Sequence, residues 1–471
     1  VPPGGYIGVG GFYDNSVSTF FADNSGIGSS TSTYTSTEVD GPSVFLNNGI
    51  VGAPTESLDF YDGSVYVEVF GISGAEATNN GAIFGDVLVD GIGENYSSVT
   101  EITGTLDPVL RTEVITRTYT PVGGDATLLN NGLITGDAEI YGGNSVLTNN
   151  GVIRGTIYSG IYLPNYTTTQ TDTAFSAGEE TLLSQGDPFV QDILIDQNGV
   201  AAGGVSIFGA YDDYDPEDRL SDMPTSTINA TINLNNGSVT GTGVFAEQNE
   251  DGSFATNTML NLNGSGYFGL ALSDDGTEAL SVLSPFGSID PYLSQQNLST
   301  LMSMGNKVFG LGVSVRGVEQ ITKTGDGTFI ITGTAYDENA NGTPPLPAWT
   351  FDIGSFVING GEVQLDVVGS SYDLYNYGEY GVGLGGFAVT GSMDLEAPVF
   401  GIRGDVENNA TLVLGRRVEL PQSLFLNNLV APGTEVIAGI EIRQEGNFTQ
   451  SENGTLVVGV APTLARSTQT E

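Results

Sequence analysis

The densest polar cluster in the chain is Asp212-Asp213-Tyr214-Asp215-Pro216-Glu217-Asp218, with Asp222 close behind. Calcium takes about six to eight oxygen ligands, and a carboxylate-dense loop supplies several of them. Without a cation the same charges repel one another. Asp212, Asp213, Asp215, Glu217 and Asp218 are therefore the candidate Ca²⁺ ligands, set against the plainer reading of a solvated acidic loop. Asp274-Asp275-Gly276 and Asp337-Glu338-Asn339 are thinner versions, and none of these matches an EF-hand loop. Paired carboxylates also serve glycoside hydrolysis, with Asp212/Asp213 and Asp274/Asp275 as candidates. Adjacent strand residues point to opposite faces, however, so neither makes an obvious cooperating pair. Candidate contact surfaces are the run Tyr372, Tyr375, Tyr377 and Tyr380 and the N-terminal aromatics Tyr6, Phe12 and Tyr13. A Tyr ring buries at an interface while its hydroxyl keeps a hydrogen bond. The plainer reading of the Tyr run is an amphipathic stretch covering the fold.

Composition removes whole classes of chemistry. The 471 residues include 12 Lys+Arg, 56 Asp+Glu, no His and no Cys, for a formal charge of −44. Without His there is no Ser-His-Asp triad and no imidazole base or ligand. Without Cys there is no thiol nucleophile, disulfide or thiolate metal site. The charge argues against nucleic acid and against docking on anionic lipid. The Gly-rich phrases Gly8-Val9-Gly10-Gly11 and Gly381-Val382-Gly383-Leu384-Gly385-Gly386 lack the Lys-Ser/Thr of a phosphate loop. A non-enzymatic protein is expected. With 39% hydrophobic and only 14% charged residues, the chain buries a core rather than staying disordered. No apolar run reaches the roughly 18 residues of a membrane-spanning helix, so direct membrane insertion is not expected. No basic, then apolar, leader opens the chain, and Val1 reads as a mature N-terminus left by signal removal.

The elements that would position any site follow from a repeat. Asn-Asn-Gly, an apolar pair and a Gly recur around Asn47, Asn79, Asn130, Asn149 and Asn235, with degenerate copies at Asn408 and Asn427. Asn and Gly tolerate positive φ, so the phrase makes a tight corner, and a short half-buried strand follows. A corner plus short strands at a period near 20 residues points to an all-β, right-handed parallel β-solenoid (β-helix) with loop insertions. Asn side chains stacked at the corners would hydrogen-bond from rung to rung. The competing reading is that Asn-Asn-Gly marks hairpin turns of an antiparallel sandwich. Residues 1–41 form an N-terminal lead-in or cap. Residues 42–317 form the solenoid, with insertions near 161–190, 211–222 and 284–306. Residues 318–471 form a second strand-rich block. One short helix is expected where Asp290-Pro291 opens a run ending at Gly305.

The second block resembles a known family. Lys323-Thr324-Gly325-Asp326-Gly327-Thr328-Phe329-Ile330-Ile331-Thr332-Gly333 is similar to a strand repeat of autotransporter passenger domains, and Gly360-Gly361-Glu362-Val363-Gln364-Leu365 to the element that follows it. Val430-Ala431-Pro432-Gly433, Ile440-Glu441-Ile442, Gly446-Asn447-Phe448-Thr449-Gln450 and Gly454-Thr455-Leu456-Val457-Val458 resemble that family's stem. The resemblance implies a β-helix passenger exported to the surface of a Gram-negative bacterium. The expected function is adhesion or matrix formation, with the chain itself, other cell-surface proteins or glycans as partners. Two rivals stay open: a self-assembling subunit of a filament or surface layer, and a polysaccharide-active β-helix enzyme. The lead-in adds a possibility of its own, since an aromatic, Gly-spaced segment suits strand donation to a neighbour's sheet edge.

Overall fold

The structure, a computed structural model, describes residues 20–24, 42–52, 65–103, 112–161, 163, 165–173, 176, 178, 180–208, 226–241, 243–249, 252–269, 314–333, 349–367, 399–419, 435–438 and 440–458. Every regular element among them is a β-strand. The helix expected near 290–305 lies outside the described residues. The chain divides into two compact units. The first is Val1–Asp196, Ser206–Thr231 and Ala246–Thr258; the second is Gln197–Val205, Ile232–Phe245 and Met259–Glu471. Each is a run of parallel β-solenoid.

In the first unit a rung has three sides. Ala75–Asn79, Ala82–Ile83 and Gly85–Asp90 make one rung; Asp125–Asn130, Leu133–Ile134 and Ala138–Tyr141 make the next. Each side pairs in parallel with the same side of its neighbour. Parallel pairing rules out the hairpin reading of the Asn-Asn-Gly phrase. Alternate residues point inward and stack into aliphatic columns. Phe45, Ala77, Leu128 and Leu147 form one column, and Val51, Ile83, Ile134 and Ile153 another. Each fully buried Leu or Ile contributes on the order of 1.5–3 kcal/mol.

The corner phrase builds two amide ladders. The first Asn of each copy is buried: Asn47, Asn79, Asn130 and Asn149 are at most 1% exposed. Asn47 Nδ2 donates to Asn79 Oδ1, Asn79 to Asn130 and Asn130 to Asn149, each at 2.8 Å. The second amide proton reaches a carbonyl of the next rung, as from Asn79 to Leu133 at 3.1 Å. The same Asn Oδ1 accepts the N–H of the corner glycine at 3.2 Å in Gly81, Gly132 and Gly151. The second Asn of each copy forms an outer ladder. There Asn80 Nδ2 donates back to Asn48, Asn131 to Asn80 and Asn150 to Asn131, at 2.8–3.0 Å. The inner ladder thus donates toward the C-terminal rungs and the outer one toward the N-terminal rungs.

The corner glycine has a different reason from the one the sequence suggested. Gly81, Gly132 and Gly151 do not lie in the left-handed region; a Cβ on Gly132 would overlap the carbonyl oxygen of Gly81 below it. Close rung-to-rung approach excludes a side chain there. The left-handed expectation does hold in the second unit at Gly237, whose φ is +85°.

The second unit repeats the scheme with a heavier core. Ser238–Thr240, Gly266–Phe268, Thr328–Gly333, Glu362–Val367, Thr411–Leu414 and Thr455–Val458 stack in parallel as one side. Phe329, Phe351, Phe356 and Phe400 are fully buried, and Phe351 meets Phe400 edge-on at 5.0 Å. The inner corner column here runs Leu262, Lys323, Ile358 and Asn408. Lys323 is buried, and its ammonium donates to the carbonyls of Thr324, Gly325 and Gly360 at 2.8, 2.9 and 3.1 Å. It thereby caps corner carbonyls, while burial pushes its pKa down. Trp349, the single tryptophan, lies beneath the guanidinium groups of Arg403 and Arg443 at 5.2 and 5.8 Å.

Candidate functional site

In the first unit one corner is where the solenoid opens. Between Tyr141 and Asn144 the chain turns on Gly142 and Gly143 alone. At the same corner of the neighbouring rungs it leaves the stack instead. Ile92–Thr103 and Thr112–Gly123 form one antiparallel hairpin there, and Tyr166–Thr173 and Glu180–Gln185 form another. The two hairpins pair with each other, Thr112–Gly123 running antiparallel to Tyr166–Thr173. The result is a four-stranded antiparallel sheet, an arm made from two insertions distant in sequence. Neither hairpin alone would be more than marginally stable in water, whereas four strands together support one another.

The arm is fixed at its root by buried polar groups. Asp90 Oδ1 accepts the N–H of Ile92 at 2.7 Å, and Gly124 N–H donates to the Gly91 carbonyl at 2.8 Å. On the second hairpin, buried Gln191 bonds both the N–H and the carbonyl of Ile161. Asn165 and Asp187 close its base.

The outer face beside the root is acidic and half-buried. At the far end of the same side, Asp86 Oδ1 accepts the N–H of Asp137 at 2.8 Å and Asp137 Oδ1 that of Thr156 at 2.7 Å, so carboxylates ladder the corner that follows the amide one. Burial raises the pKa of Asp86, Asp137 and Glu139. Asp90 is pushed up to about 6, by burial first and by the charges of Glu68 and Glu139 as well. Tyr141 donates to Glu139 Oε2 at 3.1 Å, and burial raises its hydroxyl pKa. Tyr158 stacks on Phe208 at 5.4 Å on the same face.

The two faces of the arm differ sharply. One carries Arg117, bonded to Gln170 at 2.8 Å, together with Asp172 and the fully buried Thr168. On the other, the register aligns Thr116 with Thr169 and Thr181, and Thr118 with Thr167 and Ser184. The Thr118 and Thr167 hydroxyls meet at 3.2 Å. Thr120, Thr171, Thr173, Thr181 and Ser184 on this face are exposed.

None of the residues singled out from sequence falls on this arm. Asp212, Asp213, Asp215, Glu217 and Asp218 lie outside the described residues, as do Tyr6, Phe12, Tyr13, Tyr372, Tyr375, Tyr377 and Tyr380. Among the described residues no cluster of three or more acidic side chains is placed to hold a metal ion. The chain matches no family model, no curated protein and no solved structure. In the second unit a hollow of about 550 Å³ is lined by residues including Gln320, Ser355, Asp405, Glu407, Asn447 and Thr449. Asp405 Oδ1 accepts from Asn447 N and Nδ2 at 2.8 and 3.1 Å. Asp405 and Glu407 stand two apart on one strand and so share its outer face, a pairing that sequence reasoning passed over.

The signal for the arm was present in the sequence. Thr116, Thr118 and Thr120 alternate, and so do Thr167, Thr169, Thr171 and Thr173. The extra Thr168 in the second run hides its period.

Proposed function

We propose that this chain is a non-enzymatic β-solenoid scaffold working outside the cell, in surface adhesion or matrix formation, with the antiparallel arm as its contact element. One observation carries this reading. Two separate insertions meet to build a sheet that the solenoid does not need, since a Gly-Gly turn closes the same corner one rung away. Contact residues concentrate on such excursions from rigid scaffolds. The likeness of the block from residue 318 onward to autotransporter passengers supports export to a Gram-negative surface, and the acidic loop at 211–222 is the place where Ca²⁺ would act.

The test deletes 92–123, which leaves Gly91-Gly124 in the place of Gly142-Gly143, and replaces 161–191 by Gly-Gly. Beads coated with the shortened chain should lose most of their adhesion to bacterial or host cells. Equal adhesion by the two chains would sink the reading. Imaging both chains by negative stain separates the filament rival, which requires ordered assemblies from the full chain. A second reading, polysaccharide hydrolysis, is favoured by the Asp405/Glu407 pair in its hollow. Two residues along one strand face are about 6.7 Å apart, within the roughly 5–9.5 Å that separates glycosidase carboxyls. Release of new reducing ends that Glu407→Gln abolishes would establish it.

A further inference from the structure

The hydroxyl face of the arm is chemically unlike the rest of the molecule. In a chain carrying −44, the register puts Thr, Ser and Val, none of them charged, on this face of the three strands Thr112–Gly123, Tyr166–Thr173 and Glu180–Gln185, with exposed Leu183 at a bulge; on the fourth strand Glu101 stands in register with Val114. The charged side chains Arg117 and Asp172 sit on the opposite face. Adjacent strands lie about 4.8 Å apart, and successive outward residues along a regular strand are about 6.7 Å apart. The register therefore lays out rows of hydroxyls, Thr116, Thr169 and Thr181 in one and Thr118, Thr167 and Ser184 in the next, with a bulge on the outer strand between Thr181 and Ser184.

We propose that this face binds an uncharged polysaccharide. The inference rests on the arm being the contact element and adds the chemical class of its ligand. Each hydroxyl both donates and accepts, so it matches sugar hydroxyls in either sense. The Thr methyl groups between them offer apolar contact to sugar C–H faces. The acidity of the whole chain repels polyuronates and other anionic polymers at long range. A cationic partner would be drawn to the acidic surfaces rather than to the uncharged rows of these three strands. Stiff β-branched side chains hold the lattice with little rotamer freedom left to lose on binding.

The probes are microcrystalline cellulose, chitin and an insoluble β-1,3-glucan, with polygalacturonate as the anionic control. The full chain should be retained on at least one neutral probe and not on the control. The variant Thr116→Val/Thr118→Val/Thr167→Val/Thr169→Val keeps shape and strand preference but removes the hydroxyls. Its retention should fall at least about tenfold, with its circular dichroism unchanged. A second variant, Thr118→Lys, which introduces a charge into the face, should fall similarly. Retention of the Val variant equal to the full chain, binding only to polygalacturonate, or no binding to any neutral probe would each overturn the proposal. The failures are separable. If the full chain adheres to cells through its arm yet ignores all neutral probes, the ligand class is wrong and the arm reading stands. If the armless chain adheres as well as the full chain, the arm reading itself fails.

Discussion

Replacing Asn130 by Leu tests whether the inner amide ladder behaves as a connected chain. Asn130 accepts from Asn79 Nδ2 at 2.8 Å and from Gly132 N at 3.2 Å; it donates to Asn149 Oδ1 at 2.8 Å and to the Val152 carbonyl at 3.3 Å. Leu leaves two buried donors, on Asn79 and Gly132, without that acceptor. Each such loss costs about 1–3 kcal/mol. Burying Leu instead returns about 1.5–3 kcal/mol. The net destabilisation is centred on about 2 kcal/mol. Replacing Asn47, Asn79, Asn130 and Asn149 together removes both members of three amide pairs, leaving the corner glycine N–H groups and the carbonyls of Ala82, Leu133 and Val152 without those side-chain partners. The four changes should therefore cost well under four times the single one, a coupling expected of contacting residues. That single apolar residues can occupy such a corner is shown in the second unit by Leu262 and Ile358, which alternate there with Lys323 and Asn408. The assay is hydrogen–deuterium exchange in a urea series, read on peptides spanning 125–134 and 144–153. Additive costs, or a single variant that exchanges like the parent chain, would refute the reasoning.

Other perturbations have defined directions. Burial, with the charges of Glu68 and Glu139, pushes the Asp90 carboxyl from its ordinary value of 3.8 up to about 6, so its protonated form is the one the fold favours. Stability is then fully present below the unfolded value and lost as pH rises through about 6. Asp90→Asn keeps an oxygen acceptor for Ile92 N and should raise stability at pH 7.5 by about 2 kcal/mol, with no gain at pH 4. Equal gains at both pH values in thermal melts would contradict this. Lys323→Met strips three corner carbonyls of their charged donor and should destabilise the second unit by about 2–4 kcal/mol, read from Trp349 fluorescence in urea. An unchanged midpoint there would show that the ammonium contributes nothing net. Gly132→Ala drives a methyl into the Gly81 carbonyl and should cost at least about 2 kcal/mol, with exchange protection lost first in 130–134.

The solenoid was legible because its corners are partnered by copies of themselves. An amide that bonds the identical amide on the next rung forces the same residue at each step, and Asn47, Asn79, Asn130 and Asn149 print that requirement into the chain. The Asp86 and Asp137 ladder one corner later lacks that requirement, because each carboxylate accepts a backbone N–H that any residue can supply, as Thr156 does, and so it leaves no repeat among 56 acids. The arm was hard to see for the opposite reason. The pairing of 112–123 with 166–173 is set by where the two hairpins leave the stack, which no local pattern encodes. Residues 161–190 read as a Thr-rich excursion, while their partner strands were folded into the repeat block. Asp405 and Glu407 drew no attention because nothing in their spacing predicts the Asn447 that positions one of them.

The opposed sense of the two amide ladders bears on how long such a stack can grow. A single ladder of aligned side-chain dipoles would accumulate partial charge of opposite sign at its two ends with every rung added, as aligned peptide dipoles do in a helix. Here Asn47 to Asn149 donate one way and Asn150 back to Asn48 the other, side by side along one corner. Their fields largely cancel, so a rung can be gained or lost without altering the electrostatics of the ends. The 19-residue step from Asn130 to Asn149 is then a self-contained module. Gene duplication can lengthen or shorten the stack one module at a time and move the arm along it without redesigning the corner.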